Sequence, residues 1–153
     1  MPVIGIISDT HGMLRPEALS RLQGVGHIIH GGDIGAADIV ARLEKIAPVT
    51  AIRGNVDVAD WAQTFPETRS VELFGRRFFV IHDRNDLSFD PAQKGYDVVI
   101  SGHSHRPGLQ TSGGVLYLNP GSAGRRRFKL PVTVATLRIE GEAMTPEIHE
   151  IVE

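Results

Sequence analysis

Five apolar stretches of this chain each run into side chains able to hold a metal ion. Asp9 and His11 follow residues 3–8, Asp33 follows 25–30, and Asn55 with Asp57 follows 49–52. His82 follows 76–81, and His103 with His105 follows 97–101. Taken singly, an aspartate after a strand is an ordinary cap or turn residue. Taken together they differ, because capping does not call for four histidines at strand ends in a chain with seven. Imidazole and carboxylate are the usual nitrogen and oxygen ligands of divalent cations. Residues two apart in an extended segment share a side, about 6–7 Å apart by the strand rise. Asp9/His11 and His103/His105 could then serve one ion or two neighbouring ones.

The elements that must bring these ends together follow from the hydropathy pattern. Residues 3–8, 25–30 and 49–52 read as buried strands. Between them, 16–22 opens with Pro16 at a helix start, and 36–46 repeats apolar residues at helical spacing through Ile39, Val40, Leu43 and Ile46. This β-α-β-α-β order predicts a largely parallel sheet with right-handed crossovers. In open α/β sheets ligands bind beyond the carboxyl ends of the strands, where these side chains fall. The second half predicts a hairpin of 69–73 and 76–81 about Phe74-Gly75, a short helix at 91–94, and strands at 97–101, 115–118, 132–139 and 143–151. Pro146 confines the last to a sheet edge or shortens it. So strand-rich a half predicts two facing sheets with helices outside.

Composition narrows the chemistry. The chain has 153 residues, within the range of one domain, here 1–153. It contains no cysteine, which excludes thiol catalysis and thiolate metal sites. A formal net charge of -2 gives no dedicated nucleic-acid surface. No apolar run approaches the roughly 20 residues of a membrane span, and the start has no basic leader, so a cytoplasmic location without membrane contact is expected.

In order, Asp9-Thr10-His11-Gly12, Gly32-Asp33, Gly54-Asn55-Val56-Asp57, His82, Gly102-His103-Ser104-His105 and Asn119-Pro120-Gly121-Ser122 resemble the motifs of the calcineurin-like metallophosphoesterase superfamily. The likeness is to its small bacterial and archaeal phosphodiesterase branch and spans residues 3–140. It implies a four-layer α/β/β/α sandwich of two mixed sheets, with a dinuclear metal site at the strand-end loops. By motif position Asp9, His11 and His105 would hold one ion and Asn55, His82 and His103 the other, with Asp33 bridging. A carboxylate has two oxygens with which to span two cations. Asp33, Asn55 and His103 would be the catalytic members of this set. The all-nitrogen-and-oxygen ligation suits two divalent ions, manganese first, with nickel, iron or zinc as alternatives. The reaction implied is hydrolysis of a phosphodiester through a bridging hydroxide activated by two metals. The alternatives are a phosphomonoesterase on small phosphorylated metabolites and a non-catalytic metal-binding scaffold. The partner is then a small phosphodiester or phosphorylated substrate, and a homodimer is compatible with the likeness.

Several residues stand beside the motifs. Many superfamily members carry histidine after the Gly-Asn pair, where this chain has Val56, which removes the obvious general acid. Asp57 either orients Asn55 or a metal-bound water, or shapes a turn. His30 is expected behind Asp33, while His27 and His149 read as structural. Asp83 either adds charge near the second ion or faces solvent. Asn119 either forms the site floor or only the turn before Pro120. The run Arg125-Arg126-Arg127-Phe128-Lys129 is a solvated loop or a basic rim, with Arg125 and Arg126 as candidate phosphate contacts.

Overall fold

The computed structural model describes residues 2–126 and 129–152. Its strands are β1 (Val3–Ile7), β2 (His27–His30), β3 (Val49–Ala51), β4 (Thr68–Leu73), β5 (Arg76–Ile81), β6 (Val98–Ile100), β7 (Gly108–Ser112), β8 (Val115–Asn119), β9 (Val132–Glu140) and β10 (Ala143–Val152). The helices are α1 (Pro16–Arg21) and α2 (Asp38–Glu44). Two mixed five-stranded sheets result, ordered β10-β9-β1-β2-β3 and β4-β5-β6-β8-β7.

Period-2 alternation divides each strand between two cores. Ile4 and Ile6 of β1 meet Phe78 and Val80 of β5, Val98 and Ile100 of β6, and Leu116 and Leu118 of β8 in the layer between the sheets. Ile7 faces the other way, onto Ala18 and Leu22 beside α1 and Ile39, Val40 and Leu43 of α2. Each fully buried aliphatic side chain of this kind contributes about 1.5–3 kcal/mol. The outer face of the second sheet, with Phe79, Ile81 and Val99, is covered by Leu87, Phe89 and Tyr96. That cover carries a 3₁₀ turn, Arg84–Asp86, and no α-helix among the described residues.

Two details depart from expectation and a third follows one of its alternatives. The helix anticipated at 91–94 is a set of turns: the Asp90 carboxylate accepts the Ala92 N–H, and Gly95 at φ 80° ends the segment. β7 was not anticipated, because an edge strand exposed along its whole length carries no apolar alternation. Pro146 does sit on an edge strand, but β10 runs its full length across it, paired to β9. At the hairpin tip Phe74 and Gly75 take φ 51° and 82°, both positive as a two-residue type I′ turn requires.

For the site, direction matters most. β1, β2 and β3 are mutually parallel, as are β5, β6 and β8. Each sheet therefore gathers the carboxyl ends of its three parallel strands at one edge.

Candidate metal centre

The loops leaving those strands bring most of the anticipated ligands together. Asp9, His11 and His105 form one group and Asp33, His82 and His103 a second, each with one ligand atom per residue within 4.8 Å of the others. Oδ1 of Asp9 lies 3.9 Å from Nε2 of His11 and 3.5 Å from Nε2 of His105. Oδ2 of Asp33 lies 3.1 Å from Nε2 of His82 and 3.7 Å from Nε2 of His11, so a single oxygen faces both groups. The other oxygen of Asp33 accepts the Val56 N–H at 3.1 Å. Asn55 is exposed and lines the cavity that His82 borders.

The pairs Asp9/His11 and His103/His105 do not converge by extended alternation as expected. Asp9, His11, Asp33, His103 and His105 all take left-handed backbone, with φ of 55°, 48°, 55°, 70° and 63°. This places the acceptor of Asp9 far closer to His11 than an extended pair would allow. Asp and His are among the residue types that tolerate this region, at a cost of about 1–3 kcal/mol each where the surroundings impose it. Two glycines clear the space. A Cβ on Gly54 would lie 2.3 Å from Oδ1 of Asp33, and one on Gly102 2.5 Å from Oδ2 of Asp9.

Three buried side-chain atoms among the described residues have no hydrogen-bond partner, Oδ1 of Asp9, Nε2 of His11 and Nδ1 of His105, while Nε2 of His82 has only its 3.1 Å contact with Oδ2 of Asp33. All belong to the candidate ligand set. A buried polar atom left unpaired costs about 1–3 kcal/mol, and a bound cation is the natural partner for the anionic Oδ1 of Asp9 and the imidazoles of His11, His82 and His105, whose Nε2 atoms lie 3.5–3.9 Å from it. The donor set thus fits divalent cations.

The ligands are oriented from behind. Nδ1 of His82 donates to the Gly31 carbonyl at 2.8 Å, which leaves Nε2 facing the centre. Oδ2 of Asp9 accepts from the Ser8 hydroxyl at 2.7 Å and the His103 N–H at 3.1 Å. His30 is fully buried but does not reach Asp33. Its Nδ1 accepts the Gly32 N–H, its Nε2 then donates to Thr10 Oγ1, and that hydroxyl donates to the Ile34 carbonyl. Asp57 accepts three backbone N–H groups, from Ile34, Gly35 and Gly54 at 2.8–2.9 Å, and so locks the Asp33 loop to the Asn55 loop. Asn119 spans both readings: it donates to the Gly102 carbonyl and Ser104 hydroxyl, and its own oxygen accepts the Gly121 N–H. Of this bracing, His30, Asp57 and Asn119 were marked by their places in the sequence, whereas nothing there assigned such a role to Ser8 or Thr10.

Protonation follows the geometry. Burial disfavours the charged form of His82, but the polar contact with Asp33, the Gly31 carbonyl and the charges of Asp9 and Asp33 outweigh it and raise the pKa to about 9. For Asp33 burial works upward, and the contact with His82, the Val56 N–H and the charges of His82 and His11 prevail, lowering it to about 2. Burial holds His30 down at about 4, so it stays neutral.

The remaining candidates lie outside the cluster or beside it. Asp83 has Oδ2 3.6 Å from Nε2 of His103, and its Oδ1 accepts the Asn85 N–H. His27 and His149 pair with Thr50 and Thr136 at 2.8 Å. Arg125 and Arg126 are exposed, whereas Arg127 and Phe128 lie outside the described residues.

Fold and site together define a two-sheet protein with a metal-ligand cluster at its strand ends. The model of the calcineurin-like phosphoesterase superfamily domain matches residues 3–142, and the chain belongs to that superfamily. A probable metallophosphoesterase of Methanothermobacter thermautotrophicus is 37% identical over 158 residues, covering 95% of this chain and 91% of its own. A phosphodiesterase of Methanocaldococcus jannaschii is 31% identical over 136 residues, covering 77% and 82%. The fold is also that of Vps29 from Chaetomium thermophilum, at TM-score 0.83 and 18% identity over 97% of this chain and 87% of that one. No helix among the described residues is long and apolar enough to cross a membrane.

Proposed function

We propose that this protein is a metal-dependent phosphodiesterase acting on small phosphodiester substrates. The observation that carries the reading is the buried cluster of Asp9, His11 and His105, each with an atom lacking a hydrogen-bond partner, beside the His82–Asp33 pair. In this reading Asp9, His11 and His105 would hold one divalent cation and Asn55, His82 and His103 a second, with Asp33, whose Oδ2 faces both groups, shared between them. Manganese is the first candidate, then nickel, iron or zinc. Two such ions supply charge for the phosphoryl oxygens and a water acidic enough to attack phosphorus in line. The chain's own share is position. Asp57, His30, Ser8 and Asn119 hold the ligand loops in register, and the Val56 N–H fixes the plane of the Asp33 carboxylate. Phosphoryl transfer draws chiefly on such positioning and charge neutralisation.

Val56 is 48% exposed beside Asn55 and has no proton to give. Activated leaving groups are therefore favoured. Arg125 and Arg126 are exposed and border neither of the cavities lined by Asp83. Hydrolysis of bis(4-nitrophenyl) phosphate by metal-stripped, manganese-loaded and Asp33→Asn protein tests the reading. Turnover that needs the metal and is lost in Asp33→Asn is expected. Metal-independent turnover, or none with any of the four metals, would overturn it.

A further inference from the structure

One cavity opens at the ligand cluster and a second lies beside it, the two sharing one lining residue, Asp83. The first, about 600 Å³, is bordered by Asn55 and His82 and by the carboxylates of Glu67, Asp83 and Asp86. His82 is 6% exposed, and its Nε2 lies 3.1 Å from Oδ2 of Asp33. Arg53 offsets Glu67 at 3.2 Å, which leaves the Asp83–Asp86 wall acidic. The second, about 400 Å³, is bordered by Arg84, Arg106 and Tyr117 and by the residues flanking His103, Gly102 and Ser104. There the Arg84 guanidinium lies 4.0 Å over the Tyr117 ring, and its Nη1 donates to Gln110 at 2.8 Å. A guanidinium seated over one aromatic ring offers its opposite face for stacking a second planar group. Either volume accommodates a small organic arm.

A phosphate at the cluster thus has on one side a wall carrying Asp83 and Asp86, and beyond Asp83 a second cavity lined by Arg84, Arg106 and Tyr117. We propose that the substrate is an asymmetric phosphodiester, with a planar aromatic arm stacked on Arg84 and a polar arm free of negative charge beside Asp83 and Asp86. This rests on the phosphodiesterase reading above. A positively charged alcohol suits the acidic chamber best, a neutral one next, and a carboxylate-bearing one least.

The test uses the manganese-loaded full chain and three 4-nitrophenyl phosphodiesters whose second arm is choline, ethanol or glycolate. The specificity constant should fall in that order, by about three- to tenfold from choline to glycolate given exposed charges a few ångströms apart. Asp86→Asn should narrow the spread. Arg84→Ala should weaken competitive inhibition by AMP about tenfold, as loss of one base stack does, and leave inhibition by ribose 5-phosphate unchanged. Equal constants for the three esters, a preference for glycolate, or unchanged AMP inhibition in Arg84→Ala would overturn the assignment of arms. Absence of turnover with all three esters would instead overturn the phosphodiesterase reading beneath it.

Discussion

Loading the cluster with metal must expel a proton from His82. In the metal-free protein the His82 pKa stands at about 9 and its Nε2 lies 3.1 Å from Oδ2 of Asp33. Nδ1 is committed to the Gly31 carbonyl, so Nε2 is the nitrogen that a cation would take. At pH 7, two units below that pKa, deprotonation costs about 2.7 kcal/mol, which lowers apparent affinity about 100-fold. Affinity should rise about tenfold per pH unit up to pH 9 and then level off. Calorimetric titration of Mn²⁺ at pH 7.5 in MOPS and in Tris should report close to one proton released for the ion at His82. Asp33→Asn should abolish that release by lowering the His82 pKa. The stability of the metal-free protein carries the same signature. His82 is raised, so its contribution is full below pH 6.5 and is lost as pH climbs through 9, by up to about 3 kcal/mol. Asp33 is lowered to about 2, so its side of the same interaction persists above pH 3.8 and disappears as pH falls through 2. Release near zero, or a His82 ring proton titrating near 6.5 by NMR, would refute the reasoning.

Asp57→Ala removes the acceptor for three backbone N–H groups, and metal-free protein should lose about 3 kcal/mol or more, seen as a Tm lower by roughly 6–12 °C. His103→Ala, whose side chain is 42% exposed, should leave metal-free Tm within a few degrees while weakening metal binding in calorimetry. Gly102→Ala drives a methyl to 2.5 Å from Oδ2 of Asp9 and should reduce metal affinity at least tenfold by the same method. Val56→His should raise kcat for alkyl phosphodiesters by tenfold or more and change that for 4-nitrophenyl esters far less, since acid catalysis matters most for poor leaving groups. Equal effects on both ester types would count against that account of Val56.

The candidate ligand cluster was legible because strand ends are the strongest punctuation in an α/β sequence, and Asp9, His11, Asp33, His82, His103 and His105, which the fold brings together, each sit just past one. Their approach was not legible. Convergence depends on five left-handed backbone positions, which no spacing rule for extended chain reveals. Bracing was read only in outline. His30 serves Thr10 and Gly32 rather than Asp33, and Asp57 serves backbone N–H groups 22 and 23 residues away, contacts set by loop packing rather than local pattern. β7 escaped notice because its five residues are all exposed, and the segment at 91–94 misled because Pro91 opens a turn as readily as a helix.

Anomalous X-ray diffraction from crystals of the manganese-loaded protein tests the central claim most directly. The account predicts two peaks about 3.5–4 Å apart, one among Asp9, His11 and His105 and one among Asn55, His82 and His103, with Oδ2 of Asp33 between them. A single peak, or manganese bound away from these side chains, would contradict it.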